Sequence, residues 1–426
     1  MSGEKRIAIA GLGTVGAQVA ARLLSGAVPG AVVTAVSARD ATRDRGVDLS
    51  GQRFVANPLD LASAEDVDIV VELMGGESGV ALDLVQAALK AGKPVVTANK
   101  AMLAAHAASL SELSCAEPRV PLAFEAAVAG GIPAIKAVRE SLAGNEISRL
   151  SGILNGTCNY ILSRMEVAKL SFEAALKEAQ DKGFAEADPF LDVSGTDAAQ
   201  KLTLLSALGF KVAPNMAHVS LTGIEQISAQ DISFADSFDS VIRLVAMAEK
   251  RGADGVFHQV APMLVKKGST LAQVSNELNA LKVEAEPVGS IFLQGPGAGG
   301  GATASAVLGD ISDIVQGFGR ALFSAPTSAM KELATQNAPD REYYLRVALA
   351  DKPGSMAKVT QILAENGVSI EEVVQRSSQA GDSFLPVVFI THHCEASALQ
   401  TALGALKAQK DICNEVLALP VFTEEM

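Results

Sequence analysis

Between Asp188 and Lys201 the chain reads DPFLDVSGTDAAQK, which sets three carboxylates and one lysine into a short stretch of a protein whose charged fraction is only 19%. Asp197 and Lys201 stand four apart, the spacing that brings two side chains onto one helical face. A solvated surface pair is the ordinary reading of such spacing, and an isolated one contributes little. The neighbourhood argues for more: the following run KLTLLSALGF is apolar, the preceding loop carries Glu186, Asp188 and Asp192, and Gly183 and Gly195 permit tight turns. A lysine partly desolvated there can exchange a proton with a carbonyl oxygen during hydride transfer, with carboxylates orienting it. Thr196 is the expected N-cap of this helix. Lys100 is a second candidate, because it follows the strand-like PVVTAN at what would be the carboxyl edge of a parallel sheet, where ligands bind. Its alternative is a helix-start lysine in solvent. Asn155-Gly156-Thr157 ends a strand and opens the helical TCNYILSRM, so the Thr157 hydroxyl and the backbone amides are placed to hold a substrate amine or carboxylate. Cys158 has no histidine near it in sequence and reads as structural. His106, His218, His258, His392 and His393 show no metal-ligand spacing.

A second group of residues suits a dinucleotide. Gly11-Leu12-Gly13-Thr14-Val15-Gly16 forms a G-x-G-x-x-G run between an apolar strand and an amphipathic helix. Such glycines allow the tight turn and the approach of pyrophosphate to backbone, while the helix N-terminus favours its charge. The next strand ends in Ser37-Ala38-Arg39-Asp40, with Arg43 and Arg45 behind it. Arg39 favours NADP, since a guanidinium can pair with a 2′-phosphate; Asp40 keeps NAD open. GPGAGGGATAS at 295–305 reads either as a linker or, preferably, as a loop returning to the cofactor.

These residues need a scaffold, and the pattern supplies one. RIAIAG, TVGAQVAARLLSG, AVVTAVS, DVDIVVELM and PVVTANK alternate strand and helix texture, which predicts a parallel sheet with crossover helices. From about Pro121 onward, VPLAFEAAV, RLSGILNG, VFHQVAPMLV and GSIFLQG predict strands of a second sheet, interleaved with SFEAALKEAQDKG and TDAAQKLTLLSALG as helices. The fold class is α/β in three parts: a Rossmann-type dinucleotide domain over 1–130, an α+β substrate and dimerisation domain over 131–335 in which 295–320 returns to the cofactor, and a tail domain over 342–426. A chain of 426 residues is long enough for such division. The net charge of −13 disfavours nucleic acid and anionic membrane as partners. Four scattered cysteines, and no apolar run of spanning length, point to a reduced, cytoplasmic chain.

The motifs together resemble the homoserine dehydrogenase family, whose members interconvert L-aspartate 4-semialdehyde and L-homoserine. The resemblance rests on Gly11 to Gly16 with Ser37-Ala38-Arg39, on TANK ending at Lys100, on EAAVAGGIP, on GILNGTCNYIL, and on Ala179 through Gly183, Asp188-Pro189, Asp192, Gly195 and Asp197 to Lys201. It implies that Lys201 donates the proton to the substrate oxygen, with Lys100 between nicotinamide and substrate and Asp197 beside them. It implies Glu186 and Asp192 as substrate ligands, Gly183 and Gly299 as cofactor contacts, and a sodium ion on Glu125 and the carbonyls of Val128, Gly130 and Ile132. Without the resemblance, EAAVAGGIP is only a strand-to-helix turn. The glycine-dense 295–305 segment departs from the family pattern.

The tail resembles an ACT domain, a βαββαβ module that often binds amino acids at subunit interfaces, on the strength of DKPGSM opening the helical AKVTQILAENG before VSIEEVVQ. Its implied effector is L-threonine, held near Asp351 to Ser355, and its exposed sheet edges are expected to pair with another chain in a dimer or tetramer. Truncation near Glu342 is then expected to leave a threonine-insensitive dehydrogenase. Phosphoglycerate dehydrogenase shares an ACT tail, but its acid is a histidine, and none fits here. A sensor without activity would need neither Lys100 nor Lys201.

Overall fold

The computed structural model describes residues 4–252, 255–332, 334–376 and 384–424. Among these residues the main strands lie in two sheets. The first contains β1 (Lys5–Ala10), β2 (Ala31–Ser37), β3 (Arg53–Phe54), β4 (Ile69–Glu72), β5 (Val95–Thr97) and β6 (Leu122–Ala123). It is wholly parallel, in the order β3-β2-β1-β4-β5-β6. Helices α1 (Thr14–Leu24), α2 (Asp60–Ser63), α3 (Val80–Lys90) and α4 (Lys100–Cys115) make the crossovers. Strand alternation divides the burial: Ile7 and Ile9 of β1 pack with Val19, Ala20 and Leu23 of α1, whereas Ala8 and Ala10 face the larger core on the opposite side. The strand order reverses beside β1, so the glycine turn after β1 lies at the crevice where such sheets bind ligands.

The chain then passes through α5 (Ala134–Lys136) into an α+β layer. Its strands are β7 (Glu146–Ile153), β8 (Val219–Leu221), β9 (Ser240–Arg251), β10 (Gly255–Lys266), β11 (Leu278–Glu286), β12 (Gly289–Pro296) and β13 (Ala334–Thr335). Its helices are α6 (Gly156–Ala168), α7 (Phe172–Asp181), α8 (Phe190–Val193), α9 (Thr196–Phe210) and α10 (Ala229–Ser237). After β12 the chain runs into α11 (Gly300–Val315), which lies against α1: Ala304, Val307, Ile311 and Ile314 join the β1–α1 side of the first sheet.

The tail is β14 (Tyr343–Ala350), α12 (Ser355–Glu365), β15 (Ile370–Gln375), β16 (Phe384–Thr391), α13 (Ala396–Lys407) and β17 (Cys413–Phe422), a βαββαβ order with an antiparallel sheet. The second sheet runs continuously through it, as β12-β11-β7-β9-β10-β17-β14-β16-β15. The join is a short parallel pairing, Leu264 with Val421 and Val265 with Phe422. One tail edge, expected to await another chain, is therefore covered by the same chain, leaving β15 as the outer strand.

Two local expectations are corrected. VPLAFEAAV is extended only over Leu122–Ala123, then turns through a 3-10 segment at Glu125–Ala127. The reason is that the Glu125 amide is drawn off the sheet to Asp310 Oδ2 at 2.8 Å. The N-cap of α9 is Gly195, at φ 82°, and not Thr196. Only glycine takes that left-handed turn without strain, and the Thr196 hydroxyl instead meets Ser194 Oγ at 2.8 Å. No helix among the described residues is long and apolar enough to cross a membrane.

Candidate active site

The cluster is organised by one carboxylate. Asp197, in the first turn of α9, receives Lys201 Nζ at 2.8 Å on Oδ2 and Lys100 Nζ at 3.0 Å on Oδ1. Lys201 comes from one turn further along α9, and Lys100 from the first residue of α4 on the parallel sheet. The ion pair therefore bridges the two layers. Burial works against the Asp197 charge, but the two ammonium groups, with hydrogen bonds from Lys201 and Asn155, hold its carboxyl down at about 2. The same attraction raises Lys100 above the ordinary lysine value.

Backbone and amide groups fix the lysine that faces inward. Lys201 is 8% exposed, and its Nζ also donates to the Leu154 carbonyl at 2.7 Å. That carbonyl lies just past the end of β7 and accepts Asn279 Nδ2 at 3.1 Å as well. Asn155, the N-cap of α6, accepts the Cys158 amide at 2.7 Å. Its Nδ2 donates to Asp192 Oδ1 at 2.7 Å and Asp197 Oδ2 at 2.9 Å. Sequence reasoning missed this role for Asn155; the signal was an Asn at a strand-to-helix junction, where N-caps concentrate. Burial raises the Asp192 carboxyl from its usual range. Lys100, Asp192, Asp197 and Lys201 are thus brought together.

Other expected residues lie at the rim or have local work. Glu186 is exposed on the loop after α7, close enough for its charge to help raise Lys100. Gly183, at φ 75°, makes the turn that precedes it. Thr157 donates its hydroxyl to the Phe184 carbonyl at 2.7 Å, which ties this loop to α6. A Cβ at Gly156 would come within 2.5 Å of the Glu277 carbonyl, so close backbone packing already requires a glycine there. Cys158 is buried and donates to the Asp192 carbonyl at 3.1 Å. Burial pushes its thiol well above the ordinary range, which fits a structural thiol.

The glycine turn opens on a cleft of about 750 Å³ lined by Gly11, Gly13, Arg39, Arg43, Arg45 and Gly75 among others. The three motif glycines differ in cause. A Cβ at Gly11 would strike the Leu73 backbone at 2.5 Å and one at Gly16 the Gly11 carbonyl at 1.9 Å, so packing demands both. Gly13 has no atom within 4 Å of a Cβ position, and its open side suits a ligand lying against the backbone. Thr14 and Val15 are the first residues of α1. Arg45 is committed to the carbonyls of Leu12, Asp40 and Arg43, whereas Arg39 is exposed at the cleft. Buried Glu72, at the end of β4, binds the amides of Met74 at 2.7 Å and Gly75 at 3.1 Å and thereby shapes the opposite lip. It too was missed, although an acid ending an apolar strand was the clue. Gly299, at φ 106°, starts α11.

Glu125 is 3% exposed, and its two carboxylate oxygens accept the amides of Ile135 at 2.8 Å and Lys136 at 2.9 Å. Burial raises its carboxyl. Val128, Gly130 and Ile132 follow in the same buried turn or beside it, with Gly130 at φ 56° against the Gly297 carbonyl. Among the described residues no group of three or more His, Cys, Asp or Glu side chains could hold a metal. A single carboxylate with backbone carbonyls is an oxygen set for a hard cation.

Comparison with known proteins gives three family matches. Residues 133–312 match the homoserine dehydrogenase model, residues 11–119 the homoserine dehydrogenase NAD binding domain, and residues 343–411 the ACT domain. The chain is 36% identical to a homoserine dehydrogenase of Pseudomonas aeruginosa over 435 residues, covering 98% of each. A crystal structure of a homoserine dehydrogenase from Thiobacillus denitrificans superposes with a TM-score of 0.90 at 34% identity, covering 98% of both chains. A hyperthermophilic archaeal homoserine dehydrogenase in complex with NADPH matches 75% of this chain and 99% of its own, with a TM-score of 0.62 at 26% identity.

Proposed function

This chain belongs to the homoserine dehydrogenase family and is an NAD(P)-dependent oxidoreductase acting on a CH–OH group, and from that premise we propose how its residues divide the reaction between L-aspartate 4-semialdehyde and L-homoserine. A bound nicotinamide would supply or take the hydride. Lys201 gives a proton to the aldehyde oxygen in reduction and recovers it from the homoserine hydroxyl in oxidation. Lys100 would lie between the nicotinamide and the substrate. Asp197 keeps both ammonium groups aligned, and Glu186 binds the substrate amine with Asp192, Gly156 and Thr157 beside it. The observation that carries this reading is the Asp197 carboxylate shared by Lys100 and Lys201 across the two layers.

The cofactor on this reading is NADP, with NAD as the weaker alternative. Gly11, Gly13, Thr14, Val15 and Gly16 would receive the pyrophosphate, Arg39 the 2′-phosphate, and Gly183 and Gly299 would touch the cofactor. A sodium ion would rest on Glu125 and the carbonyls of Val128, Gly130 and Ile132, offsetting a buried carboxylate charge. The enzyme serves threonine, methionine and isoleucine synthesis in the cytoplasm, as a dimer or tetramer. L-threonine binds where Gly354, at φ 90°, opens α12. Ser355 supports this, being 3% exposed with an Oγ that has no hydrogen-bond partner among the described residues.

The decisive test is Lys201→Met. Turnover should fall roughly 10²-fold or more, the scale of general acid work, while NADPH affinity, read by fluorescence titration, stays within about twofold. Near-normal turnover in a folded variant would remove Lys201 from the proton step.

A further inference from the structure

A second polar cavity lies where the tail meets the central sheet. It measures about 240 Å³ and is lined by Arg149 of β7, Glu249 and Arg251 of β9, Arg341 just before β14, and Phe422 and Thr423 at the end of β17, among others. Its arginines are unevenly neutralised. Arg251 is paired with Glu249 at 2.9 Å. Arg149 is 4% exposed and among the described residues its one ion-pair partner is Glu284, at 4.0 Å; it donates to the Thr423 carbonyl at 3.0 Å and to Met247 Sδ at 3.2 Å, and its Nε has no hydrogen-bond partner among those residues. Arg341 is 6% exposed and makes no ion pair among the described residues. Its Nη1 donates to Gln259 Oε1 at 3.0 Å and its Nε to the Pro339 carbonyl at 3.4 Å, while its Nη2 has no hydrogen-bond partner among the described residues. The remaining acid on the cavity wall, Asp340, is exposed. Burial lowers the Arg341 guanidinium from its ordinary value, and the one nearby buried carboxylate, Glu249, which works the other way, is already paired with Arg251. Buried charge without a counter-ion is costly, and here it adjoins space for a small molecule.

We propose that this cavity is a binding site for a small oxyanion, a carboxylate or phosphate, held by Arg341 and Arg149 between the tail and the central sheet. Both guanidiniums are planar donors suited to such oxygens. The position gives the occupant leverage. The Arg341 backbone is hydrogen-bonded to Cys394 of the tail in both directions, at 3.3 and 3.0 Å, while its side chain reaches β10. Arg149 lies on the strand that ends beside Leu154 and Asn155, which hold Lys201 and Asp197. An anion joining the two arginines would brace the tail against the strand that delivers the active site. The site is separate from the α12 turn and does not depend on threonine binding there.

The test uses the full chain without cofactor, titrated with inorganic phosphate and, separately, acetate, against sodium chloride at matched ionic strength. Binding is read by thermal midpoint and located by hydrogen exchange. The expected result is a saturable rise in midpoint with protection at 341–343 and 421–423; phosphate alone or acetate also decides the ligand class. Arg341→Gln should weaken binding at least tenfold, and Arg341→Lys less. Should Arg341→Gln fail to fold, Arg251→Gln, which unpairs Glu249 beside the site, should weaken binding at least threefold. No effect beyond chloride in the wild type, or protection confined to the Arg39 cleft, overturns the proposal.

Discussion

Asp197 carries two positive partners with one carboxylate, and that makes it the most constrained side chain in the cluster. Asp197→Asn would keep the shape yet leave Lys100 and Lys201 facing a neutral amide. Removing one partner from a buried ion cluster costs about 3 to 5 kcal/mol; a urea midpoint corresponding to a loss under about 1 kcal/mol would show that the charge is not needed for stability. Turnover should drop with it, since Lys100 would lose its ion-pair partner and Lys201 would keep only the Leu154 carbonyl. Arg39 poses a different question, because it faces solvent in the cleft and has nothing to lose but its ligand. Arg39→Ala should weaken NADP by about 1.5 to 3 kcal/mol, the range for a hydrogen bond to a charged group, and NAD by much less. Equal losses for both cofactors, measured by competitive titration, would reject a 2′-phosphate contact.

Among the elements, α9 does two jobs. Its first turn carries Asp197 and Lys201, and further along Ser206 Oγ meets His258 Nε2 of β10 at 2.6 Å. His258 is 7% exposed with Nδ1 unpartnered among the described residues, and burial lowers its imidazole from about 6.5 to about 4. The folded protein therefore binds fewer protons than the unfolded chain between those values, so stability is full above about pH 6.5 and falls as pH drops toward 4. The loss amounts to roughly 3 kcal/mol over the window. His258→Gln should remove this fall between pH 6.5 and 5 and leave the opposite trend of buried Asp310, whose carboxyl burial raises to about 7, so that the thermal midpoint no longer drops on acidification; an unchanged slope would place the dependence elsewhere.

The same elements show what could be read in advance. β1, β2, α1 and α7 were legible because their apolar residues keep a clean period and glycine or serine marks the ends. β9 was not, because Arg243 and Glu249 interrupt its apolar run although both are 3% exposed: Arg243 is neutralised by Glu166 at 2.8 Å, Glu249 by Arg251. The lysines and acids of the active cluster were visible as types and spacing. That one carboxylate joins residues 97 apart in sequence was not, since only the packing of α4 against α9 brings Lys100 to Asp197 (197 − 100 = 97). Asn155 was seen as the start of a helix and not as the group that orients two acids.

At the scale of the molecule the tail is anchored more firmly than an appended module. Asp231 of α10, with no exposure, accepts the Tyr344 hydroxyl at 2.8 Å and Arg346 Nε at 2.7 Å. Arg376 binds Ser233 and Ser237 on the same helix. Cutting the chain near Glu342 would strip Asp231 of both tail partners and uncover the Leu264–Val265 end of β10, so a truncated chain should lose stability as well as the threonine response proposed above. A cleaner measurement is Arg346→Met in the full chain. It should destabilise by about 3 to 5 kcal/mol, and adding Asp231→Asn should restore much of that loss. If the double variant is no better than the single one, the Asp231 charge is not what the tail neutralises.

The pairing of Leu264 with Val421 and Val265 with Phe422 also bears on the order in which the chain folds. The tail sheet and the β9–β10 hairpin are each built from nearby segments, whereas these two pairs close a loop of roughly 150 residues, and such long-range contacts form late. Refolding should accordingly show two events: an early one in which each sheet section acquires its secondary structure, and a slower one in which β17 docks and the arginines at the seam become shielded from solvent. Dehydrogenase activity during refolding would follow the second event if β7 needs the docked tail to hold Leu154 and Asn155 in place, and the first if it does not.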